Sequence, residues 1–189
     1  GGGTGHRWID SLTSGTVTSQ SSAAINLSSW YNKYREIEVN VYDYLPSADN
    51  SSLYLNTSTD GTTYDAAAGN YSWNFHSGYT TADVTSGTGA SSAYVRRVGS
   101  DTKISIGSAI GNTSTNDNHW KITLTSMSRS ATYNVKFTCS YSNTNSTSEP
   151  IELDGIGVRK SSGLLKGIQL SPDTGTVSFY YTVTGKGRL

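Results

Sequence analysis

A two-sheet antiparallel β-sandwich, all-β and jelly-roll-like, with about eight to ten strands, is the fold this sequence predicts. Three observations point to it. Apolar side chains recur at every second position, the period that places them on one face of a strand. Helical spacing is nearly absent, and the helix formers Ala, Leu, Glu, Lys and Met are scarce. Clusters of Gly, Asn, Asp, Ser and Pro punctuate the chain at the intervals expected of short strands. Strands with one wet face and one apolar face need a second layer, which two packed sheets supply. No shift in composition divides the chain. Residues 1–5, "GGGTG", are expected to be a Gly-rich linker or the start of a fragment, and residues 6–189 a single sandwich domain.

The clearest strand is "YREIEVNVYDY", with Ile37, Val39 and Val41 on one face and Glu36, Glu38 and Asn40 on the other. The turn cluster "LPSADNSS" separates it from a strand carrying Leu53 and Leu55. Asp60-Gly61 then offers the positive φ angles of a tight hairpin, and "DAAAG" makes at most a single helical turn. Tyr71, Trp73 and Phe75 share one parity in "NYSWNFHSGY". After "TSGTGASS" come Ile104 and Ile106, and after "GNTSTNDN" come Trp120, Ile122 and Leu124. In "TYNVKFTCSY", Tyr133, Val135, Phe137, Cys139 and Tyr141 alternate with polar residues, so the lone Cys139 is expected to be a buried, inert thiol. Beyond "SNTNSTSEP", Ile151 and Leu153 are odd but Ile156 and Val158 are even, which suggests a β-bulge at Gly155 or Gly157. Ile168 and Leu170, the turn "SPDTG", and Val177, Phe179, Tyr181 and Val183 complete the series.

Ser, Thr, Asn and Gly make up 89 of the 189 residues and only 28 are charged, so hydroxyls and amides carry the polarity of the surface. Twenty aromatic residues and zero net charge set this chain apart from disordered polar sequences. Fourteen basic against fourteen acidic residues argue against a nucleic-acid partner. No apolar run reaches the ~20 residues of a membrane helix, so membrane insertion is not expected. The single cysteine excludes an intramolecular disulfide and a multi-cysteine metal site.

No catalytic constellation stands out. Glu36 and Glu38 share a face, but a solvated strand surface accounts for them without a glycosidase pair. There is no G-x-S-x-G elbow, and His6, His76 and His119 lie far apart, without zinc spacing. Asp60 and Asp65 lack the acidic pattern of a calcium loop, and a polar turn accounts for "NDNH" at 116–119. No cofactor and no metal are therefore expected. Six N-x-S/T sequons, beginning at Asn26, Asn50, Asn56, Asn70, Asn112 and Asn145, are what chance delivers in so Asn- and Ser-rich a chain. The aromatic stripe has two accounts. A core-facing strand gives Tyr71, Trp73 and Phe75 the same parity, and so does a platform for glycan rings. On the second account Tyr71, Trp73, Phe75, His76 and Tyr79 are the candidate ligand-binding residues.

"YREIEVNVYDYLPSADN", "SSLYLNTSTDGTTYDAAAGNYSW" and "LLKGIQLSPDTGTVSFYYTVTGKGRL", with Trp8-Ile9 before them, resemble the β-rich structural domains of tailed-bacteriophage virion proteins. The shared elements are a Y-x-x-I-x-V-x-V strand, L-x-L-x-x-S-x-D-G, a Y-S-W element and I-x-L-x-P-x-x-G at Ile168, Leu170, Pro172 and Gly175. They cover most of the chain, and they are turns and strands rather than catalytic signatures. The terminal "TVTGKGRL" departs from the short close of that pattern. The resemblance implies a non-enzymatic virion component of a tail fibre, spike or capsid surface. It would be displayed in several copies, often as a trimer, among other virion proteins, and would act outside the cell, attaching to host glycans. A carbohydrate-binding module of a secreted bacterial enzyme is the first alternative, and a glycan depolymerase the second.

Overall fold

A computed structural model describes residues 9–80, 91–125, 127, 129–142 and 150–189, leaving aside the side chains of 78–80, 91–95, 133 and 150. The order is β1 (Ile9–Gln20), β2 (Ala23–Asn26), β3 (Tyr34–Pro46), β4 (Ser51–Ser58), β5 (Tyr71–Thr80), β6 (Ser91–Asp101), β7 (Ile104–Ile110), β8 (His119–Thr125), β9 (Ala131–Ser142), β10 (Pro150–Gly163), β11 (Gly167–Pro172) and β12 (Val177–Arg188). The sequence predicts eight to ten strands, and the described residues form twelve. Strands β2 and β6 and the body of β1 carry no apolar alternation to mark them; beyond the Trp8-Ile9 match, the inner face of β1 has only Leu12 and Val17 among Ser, Thr and Gly, as suits a sheet edge.

An eight-stranded sheet runs β1-β12-β3-β8-β9-β10-β5-β6 and a four-stranded sheet runs β2-β11-β4-β7, with every pairing antiparallel. Four of the pairs are β1 with β12, β2 with β11, β3 with β8, and β4 with β7, alternating between the sheets. That is a long antiparallel ribbon rolled upon itself, the jelly-roll arrangement. Strands β5–β6 and β9–β10 are additions that widen the larger sheet beyond β8.

Ile37, Val39 and Val41 of β3 are fully buried between the sheets, as their parity predicts. Past Asn40 the alternation breaks at Asp43, whose φ of 52° marks an irregularity in the β3–β12 ladder, and Tyr44 turns inward in consequence. The bulge expected at Gly155 or Gly157 does not form. The β10–β9 register is unbroken from Pro150 to Arg159, and the β10–β5 register from Ile151 to Arg159. Both glycines continue the inward parity of Leu153, because other side chains already fill their space. A Cβ at Gly155 would lie 2.3 Å from Phe137 Cζ, and one at Gly157 2.5 Å from Ile104 Cγ2. Ile156 and Val158 accordingly take the opposite face. The observed shift in β10 lies later, between Arg159 and Gly163.

The two sheets are pinned by aromatic side chains whose polar tips reach backbone groups of the opposite layer. Irregularities in the β4–β7 ladder leave Ile106 and Ser108 outside its paired positions. Trp120 Nε1 donates to Ile106 O at 2.8 Å, Tyr141 Oη to Ser108 O at 2.8 Å, and Tyr71 Oη accepts from Thr57 N at 3.0 Å. Each bond satisfies a group that burial would otherwise penalise. Cys139 lies in the same layer, and burial pushes its thiol well up from the ordinary range.

The turn clusters do structural work. Asp173 Oδ1 of "SPDTG" accepts from Ser51 Oγ at 3.0 Å and Ser52 N at 2.9 Å, joining it to "LPSADNSS". Asn118, fully buried at the end of "GNTSTNDN", donates to Tyr44 O at 2.9 Å and accepts from Ser142 N at 3.0 Å. Residues 85–90 of "TSGTGASS" and 143–149 of "SNTNSTSEP" lie outside the described residues.

Candidate binding face

The stretch around Asp60-Gly61 is not a hairpin joining β4 to β5, because those strands belong to different sheets. Residues 59–70 cross between the layers, with a single bridge from Ser58 to Tyr64. Gly61 takes the expected positive φ of 90°. The exposed Asp60 carboxylate accepts from Thr62 N and Thr63 N, each at 2.7 Å, and from Ser58 Oγ at 2.9 Å, and these bonds hold its pKa low. "DAAAG" makes a turn closed by Asn70 N to Ala67 O at 3.3 Å. Burial alone would raise the pKa of Asp65, but bonds from Ala67 N and Asn70 and the Arg159 guanidinium, 3.2 Å away, bring it below the ordinary carboxylate range. Both carboxylates are engaged in holding the crossing in place.

Tyr71, Trp73 and Phe75 belong to the core. They are 0, 5 and 1 % exposed, and Trp73 lies flat on Phe75 at 5.5 Å with 7° between the rings. Trp73 Nε1 donates to Asp101 Oδ2 at 3.0 Å, and the Arg96 guanidinium lies 5.5 Å from the Trp73 ring centre. None of the three offers a ring face to a glycan. His76 is exposed on the opposite face of β5, so the five predicted residues do not form one site. The backbone of Tyr79 pairs with Ile151 and Ser92, and its side chain lies outside the described residues.

His76 instead belongs to the outer face of the larger sheet, where registers align residues in rows across the strands. In one row Asp154 stands between His76 and Thr138, and Thr138 is opposite Lys121. The next places Ile156 between Asn74 and Lys136, with Arg97 opposite Asn74. A depression of about 340 Å³ lies between Asn74, His76, Lys136, Thr138, Asp154 and Ile156. A second, of about 190 Å³, borders it at Asn74 and Ile156 and extends toward Arg97, Gly99 and Val158.

Farther along the same face, Tyr180, Tyr42 and His119 stand side by side on β12, β3 and β8. Tyr42 and Tyr180 are 37 and 41 % exposed. The Tyr42 and His119 ring centres are 5.0 Å apart at 23°, and those of Tyr42 and Tyr180 6.1 Å apart at 31°. Tyr42 is thus stacked on His119 and tilted against Tyr180. Sequence reasoning missed these residues, although Tyr42 and Tyr180 both fall on the polar parity of their strands.

Glu38 lies on the same face, four residues before Tyr42 on β3. It is 9 % exposed and therefore not the solvated residue its parity suggests. Lys186 and Lys121 close over it, and Asn40 Nδ2 donates to Oε1 at 2.9 Å. Burial alone would raise its pKa, but the bonds from Lys186, Asn40 and Lys121 prevail and set it at about 2. Glu38 therefore stabilises the fold fully above its ordinary pKa of 4.5, and that contribution is lost as pH falls from there toward 2. Thermal unfolding should show a falling midpoint across that acid range, flatter in Glu38→Gln, which at pH 7 should also be less stable by about 1–3 kcal/mol. An identical acid slope in the variant would refute the assignment.

Compared with protein-family models, curated proteins and solved structures, the chain matches none.

Proposed function

We propose that this chain is a non-enzymatic bacteriophage virion module, carried on an appendage or on the capsid surface, that attaches to cell-surface glycans through the outer face of its larger sheet. The attachment half rests on one observation. On a face made largely of hydroxyls, amides and charges, Tyr42, Tyr180, Ile156 and Val158 point outward, two beside an open depression and two as a ridge, with Ile9 exposed at the far edge. Apolar surface bordered by hydrogen-bonding groups suits a sugar, which has C–H faces and hydroxyl edges. The virion half rests on the resemblance of the strand and turn elements to phage structural domains, and it carries with it a repeated, trimeric display among other virion proteins. Repetition makes weak sites effective, since linked sites gain avidity.

The full chain, displayed multivalently on a glycan array, should bind at least one class of glycan. Tyr42→Ser/Tyr180→Ser should lower that signal at least fivefold while leaving the melting temperature unchanged, and no reducing ends should appear in solution. A blank array, a signal indifferent to the double substitution, or released reducing ends would each count against the proposal, the last in favour of a depolymerase.

A further inference from the structure

We infer that the trough along the outer side of β10 takes a segment of acidic polysaccharide, its carboxylates meeting Lys136, Arg97 and Lys160 and its sugar C–H faces lying on Ile156 and Val158. This rests on the attachment reading above and narrows its ligand. The two depressions share Asn74 and Ile156, so together they make one channel from β9 across β10 and β5 to β6. The glycines of β10 give this channel its apolar floor. Because Gly155 and Gly157 continue the inward parity without a bulge, Ile156 and Val158 are left on the outer side, where both are half-buried. Asn74, His76, Thr138 and Ser72 border that floor with donors and acceptors for hydroxyl groups.

Charge selects the kind of sugar. Lys136 stands opposite Ile156, Arg97 opposite Asn74, and the Lys160 ammonium donates to Gly99 O at the far end. The carboxylate on the trough's border is Asp154. Lys121 and Lys186 are engaged with Glu38, and Arg159 with Asp65. Lys136 and Arg97 have no ion-pair partner among the described residues. A guanidinium and two ammonium groups spaced along a shallow channel match carboxylates repeated along a chain, and the fork of Arg97 suits a planar carboxylate in particular. A nucleic acid offers phosphates at higher density than three cations and a neutral chain can serve.

The test titrates the full chain with oligogalacturonic acid, with the same oligomer after carboxyl reduction, and with single-stranded DNA of matched charge. The acidic oligomer should bind at least tenfold more tightly than the reduced one and than the DNA, and its affinity should fall as salt rises. Arg97→Gln/Lys136→Gln should weaken acidic binding at least tenfold, and Lys33→Ala, which removes a charge elsewhere, should not. Equal binding of acidic and reduced oligomers, equal binding of DNA, or an unaffected double variant would overturn the inference. Binding of neutral glycans alone on the array would sink it while sparing the attachment reading, and an entirely blank array would sink both.

Discussion

Trp120→Ala is expected to destabilise the protein by about 4 kcal/mol and lower its thermal midpoint by roughly 10 °C. The indole is fully buried, parallel to Tyr141 at 5.4 Å and edge-on to Tyr44 at 4.9 Å. Gly107 makes room for it, since a Cβ there would lie 3.0 Å from Trp120 Cζ2. Removing the ring opens a cavity between the sheets and leaves Ile106 O with only the weak Cys139 thiol donor at 3.7 Å. Trp120→Phe separates the two effects. It keeps most of the packing and leaves the carbonyl to the Cys139 thiol alone, so about 1 kcal/mol of loss is expected from the missing bond. Denaturant unfolding of both variants measures this. A Trp120→Ala variant within 1 kcal/mol of the parent would mean that the layers are joined elsewhere.

Gly157→Ala should cost about 2–3 kcal/mol, large for the addition of one methyl group. Its Cβ would sit 2.5, 2.6 and 2.7 Å from three carbons of Ile104, a fully buried side chain of β7. The clash is between layers, so trimming the partner should relieve it. Ile104→Ala alone leaves a cavity, and Gly157→Ala/Ile104→Ala should be clearly more stable than the sum of the two losses. Strict additivity in this double-mutant cycle would show that the two positions do not meet.

That pair also shows where a linear chain of residues stops being informative. Parity correctly puts Leu153 inside, but a glycine carries no polarity to continue the pattern. The ring and the branched side chain that occupy its space come from Phe137 and Ile104, remote in sequence, so a change of face at Ile156 resembles a bulge. Strand β3 was legible because Ile37, Val39 and Val41 contrast with charged neighbours. Strand β1, with seven Ser, Thr and Gly among its twelve residues and no regular apolar alternation, offers no such contrast. The rolled pairing of the two sheets depends on partners as distant as Ile9 and Lys186, which local periodicity does not reach.

The candidate face was legible in part. The shared parity of Tyr71, Trp73 and Phe75 signals one common face, and only their placement against the second sheet makes it the inner one. His76, grouped with them by sequence, lies on the other face of β5, where it stands opposite Asp154. Aromatic residues on the polar parity, Tyr42 and Tyr180, were the available signal for the outer ridge. That they adjoin each other and His119 follows from register alone.

Strand β12 lies between β1 and β3, in the interior of the larger sheet. During synthesis the ribosome therefore releases the seats on either side of β12 long before it releases the strand that fills them. The larger sheet can close only after translation has passed residue 188, which makes folding a late and comparatively slow event. In the interval two ladders of unpaired backbone stand open to the wrong neighbour. A chain dominated by Ser and Thr, with few long apolar runs, is well suited to surviving that wait.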